Sequence, residues 1–367
     1  MPWPHNTLSC RTDFCDGIWA GGLGLWLWVW AAVLPAQEIY QKPPTNITEI
    51  LNSPPAPVVS FSPTRDRFLL VQGVRYPSIA KLALPSLRLA GQKINPLNNG
   101  PQQAPGYVGL AWKTITDEPE KKINLPPDAQ FGLPLWAPDG KQFAFAMYAA
   151  THIELWVGDA MTGAVRSLPG VTLNAVHGET FQWLPDSQTI LCQSVVPQRG
   201  SPPPAPKVPT GPIIQESTGK PAPIRTFQDL LESPHDEALF DYYATAQLQL
   251  VNSATGQALP LGSPGIFSEF EPSPDGLHLL VVRVHRPYSH QLPSPAFPRD
   301  VEVWGRDGKV AFKLAGLPLQ EEMPIGGVQP GPRNYHWRPT ALATLVWVEA
   351  LDGGDPKQKV SHRDRVL

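Results

Sequence analysis

The sequence predicts an all-β chain, a β-propeller of four-stranded antiparallel blades with about four and a half blades present and the ring incomplete. Three observations carry that expectation. First, a motif recurs at Ser60–Val71, Leu135–Met147, Phe181–Val195, Phe270–Val284 and Tyr335–Glu349: an aromatic or apolar residue, a Pro-centred turn, then a strongly apolar strand. Repetition at this scale is how blades read. Second, other hairpins interleave with the copies, each an alternating strand running into a Gly turn. Third, the chain carries 45 Pro. A helix-interior Pro costs about 3 kcal/mol, so long helices are disfavoured and turn-rich β structure is favoured.

The elements follow in order. Residues 1–36 hold an uncharged apolar run, Gly17–Ala36, which reads either as a signal peptide ending at Leu34-Pro35-Ala36 or as a membrane anchor of the minimum spanning length. Arg11 is offset by Asp13 and Asp16, so the segment before the run has little positive charge. Any membrane contact is expected only through residues 17–36, if they are retained, and the expected location is secreted or periplasmic. Residues 37–59 form a Pro-rich lead-in strap with a short helical possibility at Ile47–Leu51. The partial propeller is expected over residues 60–367.

In the motif copies the turn prolines are Pro63, Pro138, Pro185, Pro274 and Pro339, and Pro-Asp-Gly supplies the side-chain bond and positive φ of a tight turn. Second hairpins are expected at Leu155–Gly163, Leu248–Gly256 and Val301–Gly308, with a looser one at Ile79–Ala90. Two insertions interrupt the rhythm, at residues 95–127 and 197–244. The first half of the second contains Ser201-Pro202-Pro203-Pro204-Ala205-Pro206, which cannot form a ladder because Pro lacks the N–H donor. Its later part, Arg225–Tyr243, has helical apolar spacing at Phe227, Leu230 and Leu231. This insertion reads either as a solvated loop or as a lid or docking arm over the propeller face. After the fifth copy the tail Arg363–Leu367 offers no closing strand.

Charge excludes one class of function. The balance is 29 basic against 32 acidic residues, without the basic stripe of a nucleic-acid binder. Cysteine excludes another: Cys10, Cys15 and Cys192 make no ligand spacing, and Cys192 reads as a buried apolar residue. No cofactor or metal is expected. In His235-Asp236-Glu237 adjacent side chains point apart, which argues against a shared ion.

Several literal strings carry a resemblance. They are Gly211–Glu216, Arg225–Leu231, His235–Thr245, Arg286–Ser289 and Glu349–Pro356, with Tyr40–Pro44, Pro54–Pro63, Leu87–Gly91 and Ile94–Pro96. Together they resemble the N-terminal propeller of glutamyl endopeptidase-like serine peptidases, in the prolyl oligopeptidase family, over roughly Gln37 to the C-terminus. The resemblance implies TolB-like blades capping an α/β-hydrolase domain that carries Ser, Asp and His and cuts peptides after Glu.

This chain has no Gly-x-Ser-x-Gly elbow and no strand–helix alternation, so no catalytic residue carries over. The expected function is therefore non-catalytic: gating, and helping to bind peptide substrate, for a hydrolase domain missing from a truncated chain. A Glu-recognising peptidase needs a cation for the carboxylate, and Arg286, Arg333 and Arg338 are the candidates at turns and strand ends. Against this stands the reading that each arginine caps a loop or pairs with a carboxylate between blades. His285 and His290 flank Arg286 and Tyr288, and His152 and His177 read as structural. The alternative function is a stand-alone periplasmic propeller that binds peptide or protein partners.

Overall fold

The computed structural model describes residues 43–116, 118–208, 226–321, 323–324 and 326–367. Residues 1–36 and the string Gly211–Glu216 lie outside them. Two units are present, Met1–Leu51 and Asn52–Leu367. Helix α1 (Thr45–Asn52), all but its last residue in the first unit, starts where the Thr48 amide and hydroxyl both donate to the Pro44 carbonyl, at 3.0 and 3.3 Å. Among the described residues no helix is long and apolar enough to cross a membrane.

The second unit is a succession of antiparallel sheets. β1 (Val58–Phe61) and β2 (Arg67–Gly73) make the first hairpin. The chain then leaves this sheet for α2 (Ile79–Leu82) and a small separate sheet of β3 (Leu87–Leu89), β4 (Gln92–Asn95) and β5 (Gly100–Pro101). It returns as β6 (Tyr107–Thr114), which pairs with β2, and β7 (Lys121–Lys122). The looser hairpin expected at Ile79–Ala90 is therefore not in this blade. The strands that complete it fall inside residues 95–127, which the sequence reading set aside as an insertion. The other second hairpins advertise themselves by a Gly turn, whereas the β6–β7 connection contains none.

The second sheet is β8 (Leu135–Trp136), β9 (Gln142–Tyr148), β10 (Ile153–Asp159) and β11 (Val165–Thr172). The third is β12 (Phe181–Trp183), β13 (Thr189–Val195), β14 (Ala246–Asn252) and the first half of β15 (Ala258–Pro272). Helix α3 (Pro234–Ala244) lies between β13 and β14. From Ile266 onward β15 turns to a new partner, β16 (His278–Val284), and so opens the fourth blade, completed by β17 (Arg299–Gly305) and β18 (Val310–Leu317). The fifth sheet is β19 (Pro332–Trp337), β20 (Leu345–Ala350) and β21 (Asp364–Val366). The tail, expected to offer no closing strand, supplies β21, which pairs with β20 within the fifth sheet and whose exposed, charged sequence carries no apolar alternation to announce it.

Turn chemistry repeats as the sequence requires. In the first hairpins the carboxylates of Asp139, Asp186 and Asp275 accept the backbone N–H of Lys141, Gln188 and Leu277 at 2.9–3.0 Å. In the second hairpins Asp159, Asn252 and Asp307 accept from Met161, Ala254 and Lys309 in the same way. These are Asx turns, in which the side chain replaces a backbone acceptor.

The core lies between blades, and it explains the continuous apolar runs. β9 buries both faces: Phe143, Phe145 and Met147 pack with Leu69, Val71 and Leu110 of the first blade, while Ala144 and Ala146 pack toward Ile190 and Cys192 of the third. β13 does the same, its Leu191 facing Leu279 and Val281 of the fourth blade. β16 then turns Leu280 and Val282 toward Trp337 of the fifth. A strand covered on both sides by its neighbours reads as a solid hydrophobic run rather than as alternation. Burial pushes the Cys192 thiol up to about 12, so it stays protonated and inert.

A tryptophan bond recurs between blades. Trp136, Trp183 and Trp337 each stand two residues before the turn proline. Each donates its indole N–H to the first strand of the preceding blade, to the carbonyls of Ser60 (3.3 Å), Leu135 (3.0 Å) and Glu271 (3.0 Å). Those acceptors all stand three residues before their own turn proline, so the bond keeps one register around the array. In the fourth blade Pro272 occupies the donor position, and that junction depends on other contacts. Trp183→Phe keeps an aromatic ring in the site but removes the donor. We expect a loss of about 1–2 kcal/mol, read as a lower urea midpoint with an unchanged slope; an unchanged midpoint would deny the bond any role.

The insertions form a second layer at one end. In an antiparallel meander every connection from second to third strand leaves from the end opposite the Pro turns. The β2–β6 excursion, the β13–β14 segment and the β16–β17 loop therefore emerge together. They share one apolar cluster, with Leu89, Ala90 and Ile94 from the first, Leu239, Phe240 and Tyr243 from the second and Phe297 from the third. Backbone bonds from Gly91 to Asp229 and from Ser294 to Ala90, both 2.8 Å, stitch the three segments.

Candidate functional site

The three arginines singled out by sequence occupy three separate places. Arg286 sits in the β16–β17 loop and reaches α3, where it pairs with Glu237 and Asp241. His290 bonds the same Glu237 at 2.9 Å, and the Tyr288 hydroxyl donates to Asp241. Helix α3 starts at Ser233, whose Oγ accepts from the Asp236 amide, with Pro234 in the first turn. That places Glu237 and Asp241 one turn apart on the face toward Arg286. The helix is shorter than the apolar spacing suggests, because residues 226–232 precede the cap. His235, Asp236 and Glu237 diverge: Asp236 caps the helix, while Glu237 joins the arginine.

This cluster fastens α3 and depends on pH. Burial pushes Glu237 up, but its hydrogen bonds from His290 and Arg286 outweigh that and hold it below its ordinary value of 4.5. A carboxylate depressed in the folded state adds stability above its unfolded pKa and loses it as pH falls through the folded value. Protection of α3 amides from hydrogen exchange is therefore expected to fall as pH drops below 4.5. Glu237→Gln should flatten that dependence, and an unaltered profile in the variant would refute the role.

Arg338 lies exposed at the β19–β20 turn, where its Nε donates to Thr340 at 3.0 Å. Arg333 is different. It stands on β19, pairs through Nη2 with Asp364 of β21, and lines a cavity of about 450 Å³ between the fourth and fifth sheets. Arg299, the first residue of β17, lines the same cavity with Glu269 and Tyr335. Two guanidinium nitrogens here, Nη2 of Arg299 and Nη1 of Arg333, are buried without a hydrogen-bond partner. Burial works against the Arg299 charge, and Glu269 works for it. Burial likewise raises Glu269, with Arg299 opposing, and lifts the Tyr335 phenol to about 12. Sequence reasoning missed Arg299 and Glu269. The available signal was a charged residue opening or punctuating an otherwise apolar strand.

A second hollow, about 620 Å³, opens where β8 and β12 lie side by side, lined by Trp136, Tyr148, Phe181 and Trp183 with Glu179 and Gln182. First strands of successive blades neighbour one another from β8 to β12, to β15, to β19. The aromatic hollow therefore lies along this row of first strands. His177 lies just before it. Burial lowers its pKa to about 4, so it is neutral near pH 7, and its Nδ1 accepts from Gln92 at 3.1 Å.

No protein-family model matches the chain. Two curated plant proteins do, each named "Probable glutamyl endopeptidase, chloroplastic". The one from Oryza sativa subsp. japonica is 38% identical over 344 residues, and the one from Arabidopsis thaliana 39% over 343. The chain is a glutamyl endopeptidase-like propeller. Each match covers 89% of this chain, which spans 36% and 35% of those relatives' lengths. Solved structures similar to this glutamyl endopeptidase-like chain include an acylaminoacyl peptidase of Pyrococcus horikoshii, 14% identical with a TM-score of 0.44, covering 86% of this chain and 38% of that one. Another is the β-propeller domain of the Trilobed protease from Pyrococcus furiosus, 11% identical with a TM-score of 0.40, covering 85% and 67%.

Proposed function

We propose that this glutamyl endopeptidase-like chain is the non-catalytic propeller portion of a prolyl oligopeptidase-type serine peptidase, and that it gates and helps bind peptide substrate along its row of first strands. The observation that carries the reading is the aromatic hollow between β8 and β12, about 620 Å³. Aromatic walls with a few polar groups suit an extended peptide. The names of the plant relatives support the peptidase class. The apolar run Gly17–Ala36 supports export to a secreted or periplasmic destination; a mature protein that begins near Gln37 would agree with it, and one that retains residues 17–36 would not.

The test is fluorescence anisotropy of labelled hexapeptides with the full chain, alongside an assay for their cleavage. Saturable binding without cleavage is the expected result. Cleavage by the chain alone would end the non-catalytic reading. Failure of every peptide to bind, with capture of a folded protein instead, would favour a stand-alone binding propeller.

A further inference from the structure

We propose that the cavity between the fourth and fifth sheets is a carboxylate site in which Arg299 and Arg333 hold one anionic group of a bound peptide. The inference deepens the peptide-binding reading and rests on it. It starts from an unbalanced account of polar groups. Buried donors are nearly always satisfied, and an unmet charged donor is costly. Yet Nη2 of Arg299 and Nη1 of Arg333 are both buried without a partner, on side chains that line one cavity of about 450 Å³.

One other nitrogen of each arginine is engaged. Arg299 Nε donates to the Phe297 carbonyl at 3.4 Å, and Arg333 Nη2 is held by Asp364. Buried without a partner is one N–H-bearing nitrogen from each arginine, presented by two different blades. Guanidinium donors favour the planar oxygens of a carboxylate. The neighbourhood supports an entering anion rather than a permanent internal one. Glu269 shares the cavity, but Nη2 of Arg299 stays unbonded beside it. The Tyr335 hydroxyl is turned away, donating to the Pro332 carbonyl at 2.7 Å. Gln320 and Gln329, bonded to each other, form part of the cavity wall and add neutral amides.

The carboxylate has two possible sources, an acidic side chain or the free C-terminus of a peptide. Four labelled hexapeptides separate them: a central Glu pair or Gln pair, each with a free or an amidated C-terminus. If the side chain is read, the Glu peptides bind about tenfold more tightly than the Gln peptides whether amidated or not. If the C-terminus is read, amidation costs that factor and Glu against Gln does not matter. In either case Arg299→Gln removes the preference, so that the preferred peptide binds no more tightly than its uncharged counterpart.

Glu269→Gln provides a test independent of whether that variant folds. It removes a competing carboxylate and is expected to tighten the preferred peptide, which a purely structural role would not do. Equal binding of all four peptides, or a preference indifferent to both variants, overturns the carboxylate site while leaving peptide binding intact. Absence of binding by any peptide overturns both.

Discussion

Phe240→Ala is expected to destabilise the protein by about 3–5 kcal/mol, the range for deleting a buried phenylalanine ring. Phe240 is 1% exposed and is the side chain around which the three inserted segments meet. Its ring stands edge-on to Tyr288 (5.2 Å), His177 (5.9 Å) and Phe297 (5.9 Å), drawn from the β16–β17 loop and from the approach to β12. Truncation leaves a cavity among groups tied to separate blades, which cannot collapse together. The deficit should also be local. Proteolysis between residues 226 and 245 should rise well before Cys192, buried between the second and third blades, becomes open to thiol reagents. Phe240→Leu, which keeps most of the volume, should cost less than half as much. A loss below about 1 kcal/mol for the alanine variant would mean that the layer does not stabilise the blades.

Gly178→Ala is the second large effect, about 2–5 kcal/mol from left-handed backbone cost plus overpacking. Gly178 has φ +69°, and a Cβ there would lie 2.5 Å from the Ser268 carbonyl oxygen and 2.6 Å from that of Phe267. Both obstacles are backbone, so neither can rotate aside. They sit at the irregularity in β15 between Phe267 and Glu269, where the strand passes into the fourth blade. Gln193 secures the same place by donating to the carbonyls of His177 and Glu179. This is the junction that lacks the indole bond, so close backbone approach takes over the role tryptophan has elsewhere. A urea melt of the variant checks it. A midpoint within error of the parent would show that β15 shifts freely, and the proposed junction would be wrong.

The propeller was legible because its determinants are local. Pro138-Asp139-Gly140 and Pro274-Asp275-Gly276 encode a turn within a few residues, and the apolar runs Phe143–Met147 and Leu279–Val282 encode strands buried on both faces. The first blade was misread for the same reason. Its second hairpin, β6 to β7, has no Gly turn, while Ile79–Ala90 offered apolar residues at a plausible distance and belongs elsewhere. Strand β21 escaped because its three exposed residues carry no apolar alternation and pair with β20 through backbone and charged side chains. At the sites the limit was sharper. The resemblance and turn position drew attention to Arg286, Arg333 and Arg338 alike, and of these Arg333 lines the cavity between the fourth and fifth sheets. Arg286 is occupied by Glu237 and Asp241, some 45 to 49 residues away in the chain.

By itself the sequence determined the blade repeat, its hairpin turns and its kinship with the glutamyl endopeptidases, since each is written in short strings. Tertiary structure alone decided that three distant insertions share one core around Phe240, that the tryptophan register breaks at Pro272, and that Arg299 and Arg333 face one cavity with unmet donors. The physical reason is range. A turn or an alternation is settled by neighbours along the chain, whereas the satisfaction of a guanidinium or the packing of a ring depends on which blades come together in space.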